Sequence, residues 1–123
     1  MGLLAKELGR ACIAGSNYAT ADTVVVNPTA KDTIITKITM YNANSAAITV
    51  TLLRVLNNAG TAAVGVVTDI FWSQSIAAGD TAILGHTDVS LPLLATNDTL
   101  QCYATVADKV NIFVDGFTMT DQS

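Results

Sequence analysis

Residues 34–52, IITKITMYNANSAAITVTL, contain two runs of alternating side chains with a turn between them. The predicted faces of the first run are Ile34, Thr36, Ile38 and Met40 on one side and Ile35, Lys37, Thr39 and Tyr41 on the other. In the second run, the alternating sets are Ile48, Val50 and Leu52 against Thr49, Thr51 and Leu53. A period of two is the signature of a half-buried strand. The stretch therefore predicts a β-hairpin with its turn at residues 42–45.

The same alternation recurs along the rest of the chain. The candidate strands cover about residues 10–15, 22–27, 32–42, 46–56, 64–76, 81–89, 98–106 and 109–120. Short strands separated by turn residues at intervals of about 8–12 residues are typical of a sandwich or barrel. We predict an all-β fold, a two-layer antiparallel β-sandwich that is jelly-roll-like, with about eight strands and a short N-terminal arm.

The inner faces of these strands predict the core. Its expected members are Ile38, Met40, Ile48, Val50, Leu52, Leu100, Cys102, Val110, Ile112 and Val114. In the last strand the apolar side chains change register across Gly116, because Phe117 and Met119 follow it at odd positions. A β-bulge at Gly116 would move this second set across the pleat.

The first twelve residues differ from the rest, and we predict an N-terminal arm over 1–12 followed by one sandwich domain over 13–123. Leu3, Leu4 and Leu8 surround Lys6 and Glu7 in a faintly helical pattern. A helix of two turns is marginal in water. We therefore expect an arm that becomes ordered against a partner.

The composition excludes several classes of protein. Of 123 residues, 50% are hydrophobic and 13% charged, with a net charge of −4. A chain this apolar is not a disordered tail, and its six scattered basic residues argue against binding to nucleic acid. No secretory signal or membrane span is evident, so we expect a protein made and kept in a cytoplasm, without membrane contact. In such a reducing compartment Cys12 and Cys102 are expected to be free thiols.

Few residues could perform chemistry. His86 has only Asp88 nearby in sequence, which is too few ligands for a metal site. Four Asp-Thr pairs, beginning at Asp22, Asp32, Asp80 and Asp98, are interpreted as turns in which the carboxylate accepts backbone N–H groups. We predict no catalytic residue, cofactor or metal, and no enzymatic activity.

Large apolar side chains off the main alternation indicate contact with another protein. Phe71 and Trp72 follow Ile70, so both faces of that strand carry large apolar groups. The interface candidates are Leu3, Leu4, Leu8, Ile35, Leu53, Phe71 and Trp72. The alternative is a carbohydrate-binding module that uses Trp72, Tyr41 or Tyr103 as a platform.

Several stretches together resemble one family. They are residues 36–52, residues 75–81, Leu91-Pro92-Leu93, residues 97–104 and residues 110–116. The first looks like the central hairpin of small β-sandwich structural proteins of tailed-phage virions, and the others follow the layout of those proteins over residues 20–118. The resemblance implies a capsid decoration (cement) protein, or a tail, collar or fibre component. It transfers no catalytic residues.

From this resemblance we expect a non-enzymatic protein of a phage virion, made in the host cytoplasm. A decoration protein would stabilise the shell by bridging capsid subunits. We expect a homo-oligomer, with a trimer favoured because trimers fit capsid three-fold positions. Its expected partner is the major capsid protein or another virion protein.

Overall fold

Alternating, β-branched segments of the chain form strands throughout the computed structural model, which describes residues 6–27, 31–56, 67–85, 93–94 and 98–120. The strands are β1 Lys6–Cys12, β2 Asp22–Val26, β3 Lys31–Asn42, β4 Ile48–Val55, β5 Ile70–Ile76, β6 Thr81–Leu84, β7 Leu93–Leu94, β8 Thr99–Ala104 and β9 Val110–Thr120. One 3₁₀ turn, Val67–Asp69, precedes β5. No helix within these ranges is long and apolar enough to cross a membrane.

The strands form two antiparallel sheets. The first has the order β1-β9-β3-β6, with the two-residue β7 also paired to β3, and the second has the order β2-β8-β4-β5. With β7 set aside, the first strand pairs with the eighth, the second with the seventh, the third with the sixth and the fourth with the fifth. This nesting of pairs defines a jelly roll. The predicted fold class, a two-layer jelly-roll-like sandwich, is confirmed.

The core lies between the two sheets. All ten residues of the predicted core are fully buried: Ile38, Met40, Ile48, Val50, Leu52, Leu100, Cys102, Val110, Ile112 and Val114. Ile13 and Leu94 join them at 0% exposure, although neither belongs to a long alternating run. The even spacing of the inner residues thus identified most of the core.

A β-bulge in β3 corrects the predicted faces of the first run. The register between β3 and β9 shifts between Ile35 and Lys37, so Thr36 is an extra residue. Ile35 therefore points inward with Ile38 and is fully buried, whereas Ile34 is only partly buried. The bulge expected at Gly116 lies instead in the neighbouring strand β3. At this point β3 approaches β9 closely, and a Cβ at Gly116 would collide with the carbonyl oxygen of Ile34.

The N-terminal boundary also needs correction. Residues 6–12 form the edge strand β1, paired with β9, so they belong to the sandwich and not to a separate arm. The helical tendency expected over residues 3–9 is wrong from Lys6 onward, because pairing with β9 supplies hydrogen bonds and contacts that a two-turn helix lacks. Leu8 is the extra residue of a bulge in β1 and packs against the core.

One end of the sandwich is closed around the buried side chain of Asn42. Its Nδ2 donates to the carbonyl oxygens of Ala46 at 3.0 Å, Ile76 at 2.9 Å and Ala77 at 3.3 Å. Its Oδ1 accepts from the backbone N–H of Asn44 at 2.9 Å. Because Asn42 ends β3 and Ile76 ends β5, this one amide joins the two sheets.

Candidate interaction surface

The outer face of the first sheet carries a row of side chains that crosses β1, β9, β3 and β6. Arg10 pairs with Phe113, Phe113 with Thr39, and Thr39 with Ile83. Phe113 is 38% exposed and Ile83 is 57% exposed. Large apolar groups therefore lie on both sides of Thr39, on a face whose other side is the packed core.

A second row places another aromatic ring beside Phe113. Tyr41 pairs with Asn111 on β9 and with Thr81 on β6, and it is 41% exposed. Because Phe113 pairs with Thr39, Tyr41 lies diagonally opposite Phe113, two residues further along β3. Diagonal residues on neighbouring strands lie about 7–8 Å apart, within reach of aromatic side chains. Tyr41, Phe113 and Ile83 thus form one exposed apolar group, which we call the outer patch.

Balanced charges border the outer patch. Arg10 Nε lies 3.0 Å from Glu7 Oε1, and Lys37 Nζ lies 3.9 Å from Asp115 Oδ2. Exposed pairs of this kind contribute little to stability, about 0–1 kcal/mol each. Their consequence is that the charges on this side of the patch are paired with charges of opposite sign.

The second sheet offers no equivalent face. Its outward positions on β4 are Thr51, Leu53 and Val55, and all of them are buried, with Leu53 at 0% exposure. Gln101, which pairs with Leu53, is 5% exposed. The exposed apolar residues of the sheet faces are therefore concentrated on the first sheet.

The structure does not bring the predicted interface candidates together. Ile35 and Leu53 are fully buried within the chain, so their prediction as contact residues is wrong. Phe71, Trp72 and Leu8 are partly buried and pack against the core. Leu3 and Leu4 lie outside the described residues. Sequence reasoning missed Phe113 and Ile83, although Phe113 lies in the polar register of Asn111 and Asp115.

The three aromatic residues proposed as a sugar platform lie on separate surfaces. Tyr41 is on the outer face of the first sheet, whereas Tyr103 pairs with Thr51 on the outer face of the second. Trp72 pairs with Leu52 and packs against the core. They cannot contact one sugar ring, and the only aromatic neighbours on one exposed sheet face in the described residues are Tyr41 and Phe113.

Two of the four Asp-Thr pairs, at Asp22 and Asp98, have acidic side chains with structural partners. Asp22 is the first residue of β2, and its Oδ2 accepts from the backbone N–H groups of Ala14 and Gly15 in the connection that follows β1. Asp32 is the second residue of β3, so the turn interpretation is wrong at that position. Asp98 is buried and faces Arg54, whose Nη2 lies 3.9 Å from Asp98 Oδ2. Within the described ranges, no three His, Cys, Asp or Glu side chains are grouped as a metal site would require. His86 lies outside those ranges.

The two cysteines are free thiols in different surroundings. Cys12 is exposed at the end of β1, whereas Cys102 is buried in the core. Burial, assisted by the nearby charge of Asp22, raises the pKa of Cys102 to about 12. The reactive thiolate of Cys102 is therefore scarce at neutral pH.

Comparisons with protein-family models, with curated proteins and with solved structures found no match to this chain. Its class is therefore defined by the structure itself, as an antiparallel jelly-roll sandwich.

Proposed function

We propose that the chain is a non-enzymatic structural protein of a phage virion, a capsid decoration (cement) protein that stabilises the shell by bridging capsid subunits. The observation that carries the proposal is the outer patch, an apolar group exposed on one face of a jelly roll. Jelly rolls are common among viral capsid domains. The resemblance of residues 20–118 to phage sandwich proteins points in the same direction.

The mechanism is mechanical. Tyr41, Phe113 and Ile83 would be covered by a shell protein. Because each is already partly buried, covering its exposed part contributes only a fraction of the about 1.5–3 kcal/mol that full burial of a large apolar side chain provides. A subunit that contacts two neighbouring shell proteins then resists their separation. The two ion pairs beside the patch, Arg10 with Glu7 and Lys37 with Asp115, lower the electrostatic cost of this contact. The expected homo-oligomer, a trimer, would multiply the contact around a symmetry axis.

The first experiment locates the protein. Virions from the source culture would be banded on a density gradient, and an antibody raised against the purified chain would be used for immunogold microscopy. Gold distributed over the heads supports a decoration protein. Gold confined to the tail, collar or fibres selects the alternative virion component. A chain absent from washed particles overturns the virion proposal.

The second experiment tests the outer patch. Particles stripped of the chain would be incubated with wild type or with Ile83→Glu, and binding would be measured by co-sedimentation. The matched control is Val26→Glu, because Val26 is 59% exposed on β2 of the second sheet and Ile83 is 57% exposed. We expect Ile83→Glu to weaken binding at least tenfold and Val26→Glu to bind like wild type. Equal binding by both variants contradicts docking through the patch.

A carbohydrate-binding module is the second candidate, and it rests on the adjacent rings of Tyr41 and Phe113. Such a protein would bind oligosaccharides on a glycan array, and Tyr41→Ala would abolish that binding. Tyr103→Ala, on the other sheet, serves as the control. Glycan binding that depends on Tyr41, together with absence from particles, would replace the virion proposal.

A further inference from the structure

With the two-residue β7 set aside, four of the described strands lie at the edges of the two sheets, and three of these four are protected against pairing with another chain. β1 carries Lys6, Glu7 and Arg10 and contains a bulge. β6 has only four residues. β2 has a bulge between Thr23 and Val25 and contacts β1 of the first sheet. Charges, bulges and short length are the usual means by which proteins protect sheet edges.

The fourth edge, β5, lacks this protection over most of its length. Its sequence IFWSQSI contains neither charge nor proline. Its single register shift, opposite Leu52 and Leu53, makes Phe71 the extra residue and leaves Trp72–Ile76 regular. Ser73, Gln74 and Ser75 in the middle of this segment are exposed. Among the strands that the structure describes, β5 pairs only with β4, so alternate backbone groups of the segment face away from that partner.

The regular segment is also self-complementary. Its sequence, WSQSI, has Ser73 and Ser75 on either side of Gln74, and an apolar residue at each end. An antiparallel copy centred on Gln74 places Ser73 opposite Ser75 of the second copy and Trp72 opposite Ile76 of the second copy. The two Gln74 amides then face each other, and each can donate to and accept from the other.

We propose that β5 pairs with β5 of a second copy of this chain, antiparallel and about a two-fold axis through Gln74. The two second sheets then form one continuous sheet of eight strands, since each contributes four. Such an interface is isologous and closes as a dimer. The proposal goes beyond the virion role and stands independently of it. It selects a dimer where the argument from capsid symmetry favours a trimer.

A charge-swap experiment tests the pairing. In a Gln74→Lys homodimer, or in a Gln74→Glu homodimer, like charges would lie directly opposite each other across the axis, which destabilises paired strands. We expect sedimentation velocity to find a wild-type dimer, and each variant alone to dissociate at least tenfold more readily. An equimolar mixture of the two variants should restore dimers. Thr23→Lys, an exposed position on β2 at the opposite edge of the same sheet, is the matched control and should leave the dimer intact.

A cross-linking experiment tests the position of the axis. In the double variant Cys12→Ser, Gln74→Cys, paired cysteines at the axis would lie within the Cα separation that a disulfide allows, about 4.4–6.8 Å. We expect mild oxidation to give a covalent dimer, and Thr23→Cys on β2 in the same Cys12→Ser background to give none. A wild-type monomer or trimer, or a mixture of charge variants that stays dissociated, would overturn the proposal without bearing on the binding of the outer patch to particles.

Discussion

At the scale of single residues, the Asn42 amide has a larger structural role than its place in a turn suggests. Its Nδ2 donates to the carbonyl oxygens of Ala46, in the connection after β3, and of Ile76 and Ala77, at the end of β5 and just after it. The sequence indicated a turn at residues 42–45 but could not indicate that Ile76 and Ala77 would accept from the same side chain. That contact depends on the tertiary arrangement of β3 and β5.

We predict that Asn42→Asp destabilises the protein although the two side chains have the same shape. The carboxylate would lie against the carbonyl oxygens of Ala46, Ile76 and Ala77 without the donors that they require. A buried charge without a partner costs about 3–5 kcal/mol. Urea unfolding measures the loss, and Asn111→Asp, on the partly exposed outer face, should change the free energy of unfolding by less than about 0.5 kcal/mol. Equal effects of the two substitutions would show that the Asn42 hydrogen bonds do not stabilise the closed end.

The buried thiol of Cys102 predicts a loss of stability in alkaline solution. Burial raises its pKa from 9.0 to about 12, so the unfolded chain releases this proton at a lower pH than the folded protein does. The stability is complete below about pH 9 and declines as the pH rises toward about 12, by about 1.4 kcal/mol per pH unit. Chemical unfolding between pH 8 and pH 11 would measure the slope.

The matched variant for this experiment is Cys102→Ala, which keeps the exposed tyrosines and removes only the buried thiol. Its stability should be lower at neutral pH, because a core side chain becomes smaller, but its decline above pH 9 should be shallower than that of wild type. Parallel slopes for the two proteins would exclude Cys102 as the source of the pH dependence.

At the scale of strands, the bulges mark the limit of what alternation can predict. The inner positions from Ile38 to Val114 followed from a period of two, and all of them are buried. The bulge at Thr36 puts Ile35, instead of Ile34, on the inner face of β3. The alternation of side chains could not predict this change, because a bulge depends on how closely the neighbouring strand approaches. Gly116 gave a signal of irregularity, but the extra residue lies in its partner strand at Thr36. The outer patch was missed for a related reason, since Phe113 and Ile83 become neighbours only through Thr39 on a third strand.

We predict that Gly116→Ala disrupts the packing of β9 between β1 and β3. The new methyl group would collide with the carbonyl oxygen of Ile34 and would lie 2.8 Å from Cδ1 of Leu8. Because a strand backbone cannot move aside without breaking its ladder, we expect a loss of about 1–3 kcal/mol in the free energy of unfolding. Thermal unfolding followed by circular dichroism measures it.

Gly79→Ala provides a comparison in which only the backbone conformation is unfavourable. Gly79 has a φ of +73°, and no atom lies within 4 Å of the position that the new methyl group would occupy. Its substitution therefore costs about 1 kcal/mol through backbone strain alone. A Gly116→Ala protein as stable as wild type would contradict the close approach of β9 to β3.

At the scale of the whole molecule, the first strand joins the N-terminal residues to both sheets of the sandwich. β1 pairs with β9 and lies at the edge of the first sheet, beside β2 of the second. Gly9 permits this approach, because a Cβ there would collide with the backbone of Val24. The residues from Lys6 onward therefore belong to the sandwich. The prediction of an arm that docks on a partner now applies only to residues 1–5.

Two N-terminal deletions separate these roles. Removing residues 2–9 also removes the first four residues of β1 and the contact of Leu8 with the core, so we expect a clear decrease in the melting temperature and a loss of every assembly property. Removing residues 2–5 keeps all of β1 while eliminating Leu3 and Leu4. If those leucines fasten the protein to a particle, the shorter deletion should weaken co-sedimentation with stripped virions while circular dichroism still reports a folded β-protein. Unchanged co-sedimentation would leave the outer patch as the docking surface and exclude the arm. A Gln74-dependent dimer that persists in the shorter deletion would show that self-pairing through β5 does not need residues 2–5.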